Sequence, residues 1–208
     1  YGTHYQTELY VALLRQTGLV CAGWHTGIEA LENDFDATLR RNLAVGNKYI
    51  CVPWYKSDKL DDWKRFADRL NAVAEKLSRC GVRTGYHSHA HDHQPVEGQI
   101  PWEIVAENTD PRVILQLDTG NCMCGGADPY AVLTKYAGRN QSIHLKPYSK
   151  AAGYEPAIGE DDIPWEKVLS WSENEGRTEW FVVEYEMDKA PVSAIEKSIR
   201  YLRTLRPR

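Results

Sequence analysis

Long apolar runs are absent from this chain of 208 residues. None approaches the ~20 residues that a membrane-spanning helix needs, which removes such segments from consideration. An excess of basic charge is absent too. Lys and Arg total 25 against 29 Asp and Glu, for a formal net charge of −4. The chain therefore lacks the basic face on which nucleic-acid binding depends. Its one basic cluster, Arg200, Arg203, Arg206 and Arg208 in RYLRTLRPR, has helical spacing and is expected to be a solvated face. Cysteine is sparse, and the five (Cys21, Cys51, Cys80, Cys122, Cys124) are odd in number and scattered. That argues against a disulfide framework and for reduced thiols in a cytoplasm. Cys122 and Cys124 have no second pair to complete a zinc site. No G-x-G-x-x-G follows the first strand, which excludes a dinucleotide-binding sheet. There is no low-complexity segment, no linker, and no signal-peptide pattern after Tyr1, so the chain is expected to be processed or a fragment.

What is present is a rhythm. Short β-rich runs alternate with amphipathic stretches at a repeat of about thirty residues, the pattern of parallel strands joined by helices. The strands are LVCAGWH (19–25), KYICVPW (48–54), RTGYHSH (83–89), RVILQLD (112–118), QSIHLKP (141–147) and WFVVEYE (180–186). Helices are expected at about 5–16, 29–45, 58–80, 101–108, 128–137, 164–175 and 190–204. Over 58–80, Leu60, Trp63, Phe66, Leu70, Val73 and Leu77 keep a 3–4 spacing. Pro101, Pro129 and Pro164 stand where first helical turns begin. The seven Trp and twelve Tyr serve either core packing or an aromatic wall around a polyol.

Nearly every strand ends in His, Asp, Lys or Glu, which is how a (β/α)8 barrel furnishes its active site. A barrel is therefore preferred to an open doubly wound sheet. Six strand–helix units are visible in a single domain over 1–208, and an N-terminally incomplete barrel is expected.

Strand side chains alternate faces, so residues two apart point the same way. If His87, Asp118, His144 and Glu184 all face inward, two imidazoles and two carboxylates form one layer from neighbouring strands. Such a set suits one divalent cation, with Mn²⁺ first and Zn²⁺, Co²⁺ or Mg²⁺ as alternatives. One layer higher come His89, Gly120, Lys146 and Glu186: a substrate contact or base, a gap for substrate, a cation and an acid. One layer lower come Gly85, Gln116, Ser142 and Val182, mostly uncharged filling. In HSHAHDH, His87 is expected as ligand and His89 as substrate contact or base, with His91, Asp92 and His93 in the following loop.

Taken in order, GYHSHAHDH, LQLDTGNCMCGGADP, SIHLKPY and WFVVEYE resemble the xylose-isomerase-like sugar isomerase/epimerase superfamily, whose barrel is shared with the family 2 apurinic endonucleases. The resemblance implies a metal-dependent isomerase or epimerase of a sugar or sugar phosphate, working by proton transfer through an enediolate. It implies metal ligands at His87, Asp118, His144 and Glu184, and catalytic roles for Glu184, His89 and Lys146. His25 and Trp54 would line the mouth beside Glu186, and the AIGEDDIPW loop would bring Glu160 to the rim. Arg139 and Lys150 are expected at the surface near that rim. The partner implied is a small sugar, and related barrels often form homodimers.

Three departures count. His87 stands where ketose epimerases carry Glu, Asn121 replaces the His of LDTGH, and Pro147 replaces the Asp of HLKD. The first weakens a two-carboxylate proton relay and brings in an alternative, an inosose-dehydratase-like or 3-keto-sugar lyase. The second argues against a three-zinc endonuclease. A non-catalytic sugar-binding barrel is the alternative outside enzymes.

Overall fold

A computed structural model describes residues 6–188 and 190–206. Arg208 of the basic cluster lies outside them. All strand pairings between the six strands are parallel: β1 (Trp24–His25), β2 (Tyr49–Val52), β3 (Arg83–His87) and β4 (Ile114–Gln116) form one sheet in that order, and β5 (Ser142–Leu145) pairs with β6 (Trp180–Val183). A parallel bridge between Asp118 and His144 joins the two groups just beyond the end of β4. The six staves thus run consecutively around one wall, and the α/β barrel expected from the alternation is present.

The helices cover the outside. α4 (Leu60–Ser78) turns Leu60, Trp63, Phe66, Leu70, Val73 and Leu77 into the core, the face set by their spacing. Each such side chain contributes roughly 1.5–3 kcal/mol of burial. Gly81, at φ 71°, then reverses the chain into β3, a backbone angle at which a side chain would be strained. α5 (Pro101–Asn108) and α7 (Pro129–Lys135) begin on their prolines, whereas Pro164 sits one residue before α8 (Trp165–Asn174). α1 (Thr7–Thr17) and α9 (Pro191–Leu205) complete the expected set. No helix among the described residues is long and apolar enough to cross a membrane.

Four expectations change. The single helix over 29–45 is two, α2 (Ile28–Asn33) and α3 (Phe35–Ala44), broken at Asp34, where Asn and Asp are poor helix formers. The strand over 19–25 forms only at its last two residues, with Leu19 and Val20 66% and 70% exposed. The run after β4 turns into a short helix, α6 (Thr119–Cys124). Arg139 is not a surface residue. Its guanidinium is buried and donates to Val113 O at 2.9 Å, Ala106 O at 2.6 Å and Thr109 Oγ1 at 2.6 Å. It thereby fastens the end of α5 to the start of β4, at the opposite end of the strands from His87 and His144. Lys150 is exposed as expected. Within the basic cluster, Arg200 and Arg203 face solvent, while Arg206 packs over the Phe181 ring at 4.6 Å and pairs with Glu173 at 2.8 Å.

Candidate metal centre

The C-terminal ends of the last four strands converge. His87 is the last residue of β3, His144 lies within β5, and Glu184 follows β6 directly. Asp118 sits at the N-cap of α6, where its Oδ1 accepts from Asn121 N at 2.8 Å. Its other oxygen is turned inward. One donor atom from each of His87, Asp118, His144 and Glu184 lies within 4.8 Å of all the others. His87, Asp118 and His144 are buried, at 4%, 0% and 8% exposure.

Two polar atoms of these residues have no protein partner: His87 Nδ1 and Asp118 Oδ2 are buried without a hydrogen bond. Leaving such groups unmade costs about 1–3 kcal/mol each, more for a charge. A divalent cation would satisfy both at once, so the residues present fit one. The remaining pair is in contact with itself, His144 Nδ1 against Glu184 Oε2.

Charges in the site are strongly perturbed. Burial drives the His87 imidazole far below its usual range, and the neighbouring His144 and His25 rings add to this. His25 is lowered, mainly by burial, and His89 falls to about 4 for the same reason. All three rings are therefore neutral near pH 7, as metal or substrate binding requires. Asp118 is pushed well up by burial and by the nearby Glu184 charge. Burial also acts to raise Glu184, but hydrogen bonds and charge from His144 and Lys146 outweigh it and hold the carboxyl well below the usual range.

The upper layer is only partly as expected. Lys146 Nζ donates to Glu184 Oε1 at 3.0 Å and also contacts Glu186 Oε2. His89 starts a 3-10 turn over Ala90–His93, and its ring lies 4.6 Å from that of Trp54. His25, Trp54, His87, His89, Glu184 and Glu186 share the lining of one cavity of about 700 Å³. Gly120 provides no substrate gap: a Cβ there would lie 2.8 Å from Lys146 O and 2.9 Å from Pro147 O, so the space is filled by backbone. Glu160 is not brought to this rim. It pairs with Lys197 at 3.0 Å and lines a separate cavity against α9.

Several supports had no sequence signal. Ser88 Oγ accepts from Asp118 N at 2.9 Å, and Ser88 O accepts from Asn121 Nδ2 at 3.1 Å. Tyr154 donates to Asn121 Oδ1 at 3.0 Å and lays its ring 5.2 Å from Lys146 Nζ. The hydroxyl of Thr119 lies 2.9 Å from Lys146 O and 3.0 Å from Lys146 N. Asn121 thus ties Asp118 and a distant loop together.

The family model described as "Xylose isomerase-like TIM barrel" matches residues 8–205. The chain belongs to that family. Among proteins similar to this xylose isomerase-like barrel is an inosose dehydratase of Bacillus cereus (strain AH820), 26% identical over 170 residues, which are 72% of this chain and 56% of that one. The chain thus spans about half the length of the curated relatives it matches. A solved sugar phosphate isomerase/epimerase from Parabacteroides distasonis superposes with a TM-score of 0.83 at 22% identity, covering 100% of this chain and 78% of that one. The IOLI protein, solved with a bound zinc atom, superposes with a TM-score of 0.74 at 14% identity, over 97% of this chain and 82% of its own. At these identities the two structures bear on the fold of the family alone.

Proposed function

We propose that this chain is a divalent-metal-dependent enzyme that removes the proton beside the carbonyl of a small keto-sugar or ring polyol and releases water from the adjacent carbon. The observation that carries this reading is the cluster of His87, Asp118, His144 and Glu184, with two buried donors left unpartnered. An ion held by these four would polarise the carbonyl and stabilise negative charge as the C–H bond breaks. Glu184, held as a carboxylate, accepts the proton. Lys146 sets its ammonium beside the oxygen on which charge develops. His89 and Trp54 hold the substrate's hydroxyls and one face. The proton on Glu184 then leaves with the departing hydroxyl as water, and a C=C bond forms next to the carbonyl.

Elimination is preferred to epimerisation because Asp118 is fixed as a helix cap and an ion would occupy the lone pairs of His87 and His144, which leaves Glu184 as the one ligand with an oxygen to act as base. The 26% identity to an inosose dehydratase supports the same choice. Isomerisation or epimerisation is the second reading, favoured by His89 and Glu184 lining one cavity as two exchangeable bases.

The test is metal content with turnover. Purified protein is expected to hold about one divalent ion, and His144→Ala or Glu184→Ala to lose both metal and activity. Full metal content in both variants would overturn the ligand assignment. Inososes, 3-keto sugars and ketoses in D₂O separate the two readings: an enone product marks elimination, and deuterium at carbon with no loss of water marks isomerisation or epimerisation.

A further inference from the structure

A third imidazole stands beside the four donors. His25 closes β1, and its ring centroid is 4.7 Å from that of His87 and 5.4 Å from that of His144; those two are 4.4 Å apart. One ring nitrogen from each of the three lies within 4.8 Å of the others. Tetrahedral zinc, with Zn–N of about 2.0–2.1 Å, places neighbouring nitrogens roughly 3.3 Å apart, so modest side-chain rotation closes the set.

The outer end of His25 is already arranged for metal binding. Its Nε2 lies 2.7 Å from Gln116 Oε1, and Gln116 is turned that way because its own Nε2 donates to Ser142 Oγ at 2.8 Å. Gln116 therefore holds the His25 proton on Nε2 and leaves the Nδ1 lone pair to bind. Metal-binding histidines characteristically donate their second ring N–H to an oxygen in this way. The partnerless, buried Nδ1 of His87 adds a donor with nothing else to do.

We propose that His87 and His144 serve two overlapping cation positions, the second completed by His25. The inference rests on the reading that His87 and His144 hold a divalent ion. The position with Asp118 and Glu184 offers mixed oxygen and nitrogen donors and suits manganese or magnesium. The position with His25 offers three imidazole nitrogens and selects zinc or cobalt. Because two ligands are shared, one ion is held at a time, and zinc sits at His25 Nδ1, across that ring from Gln116. Loading the cleft with zinc thus withdraws the ion from the carboxylates.

X-ray absorption at the zinc edge of the zinc-loaded chain counts the imidazoles around the metal. Three are expected. Two imidazoles with carboxylate oxygens would overturn this proposal and leave the four-donor centre standing. Failure to retain either zinc or manganese would overturn both. A second measurement is competition between zinc and manganese. His25→Ala is expected to lose zinc affinity by at least about tenfold while manganese affinity holds, and Gln116→Leu to lose about 10–100-fold, the scale of removing the group that orients a metal-binding histidine. Folded variants with undiminished zinc affinity would overturn the proposal.

Discussion

Lys146 Nζ donates to Glu184 Oε1 at 3.0 Å while also gripping Glu186, so one ammonium joins an inner carboxylate to an outer one. The lysine side chain is 5% exposed, Glu184 19% and Glu186 66%. Burial alone would lower the lysine's pKa. The charges of Asp118 and Glu184 reverse that, and its pKa is raised. The ammonium is thus permanent at neutral pH and aimed at the carboxylate beside the imidazoles.

Lys146→Met is expected to lower kcat by about 10²–10⁴-fold, the range for a positioned proton-transfer or charge-stabilising group. Metal content should stay near that of the parent, because Lys146 is not a ligand. Steady-state kinetics with metal analysis checks this, and undiminished kcat would show that the ammonium takes no part.

Trp54 is 56% exposed, with its ring 4.6 Å from both His89 and His91. A wall of this kind binds ground state and transition state alike. Trp54→Ala should raise KM roughly tenfold with kcat nearly unchanged, the scale of one lost aromatic contact. A fall in kcat with constant KM would move Trp54 into the chemistry.

Gly120 meets the backbone that carries Lys146 and Pro147. Gly120→Ala must push that segment away, at about 1–3 kcal/mol for forced packing. Melting temperature and metal affinity are expected to fall together, because His144 and Lys146 share the displaced chain. A lowered melting point with intact metal affinity would separate the two.

Asp92 is fully buried and accepts from Tyr86 Oη at 3.0 Å and from His89 N at 2.6 Å. Burial pushes its carboxyl up to about 8. The folded state therefore favours the protonated form. Its stabilising effect is complete below the unfolded value of about 3.9 and is lost as pH rises through 8, on the order of a few kcal/mol in all. Thermal melts at pH 5 and pH 9 should differ more in the parent than in Asp92→Asn. Equal differences would show that another group sets the slope.

The barrel and the convergence of His87, Asp118, His144 and Glu184 could be read in the sequence because both follow from a period of two. His87, Asp118, His144 and Glu184 each sit near the C-terminal end of a strand, and His89, Lys146 and Glu186 lie two residues further on. Gln116 and Ser142 obey the same rule one layer down, where the structure finds them in contact. The rule fails where the backbone leaves the strand. Beyond Asp118 the chain enters α6, so Gly120 became a packing point, and the loop carrying Glu160 has no period to fix its direction. Tyr154 and Asn121 meet across 33 residues, a pairing that no local pattern encodes. Arg139 looked like a surface cation because a lone arginine gives no sign of the three oxygens that await it.

Arg139 also divides the labour of the molecule. Its three oxygen partners lie at the foot of the staves, remote from the imidazoles, so the frame is secured without drawing on any group of the proposed site. Random mutants ranked by heat tolerance would point to this lower clamp, and those ranked by turnover to the upper rim. New chemistries can be tried above an anchorage that need not change.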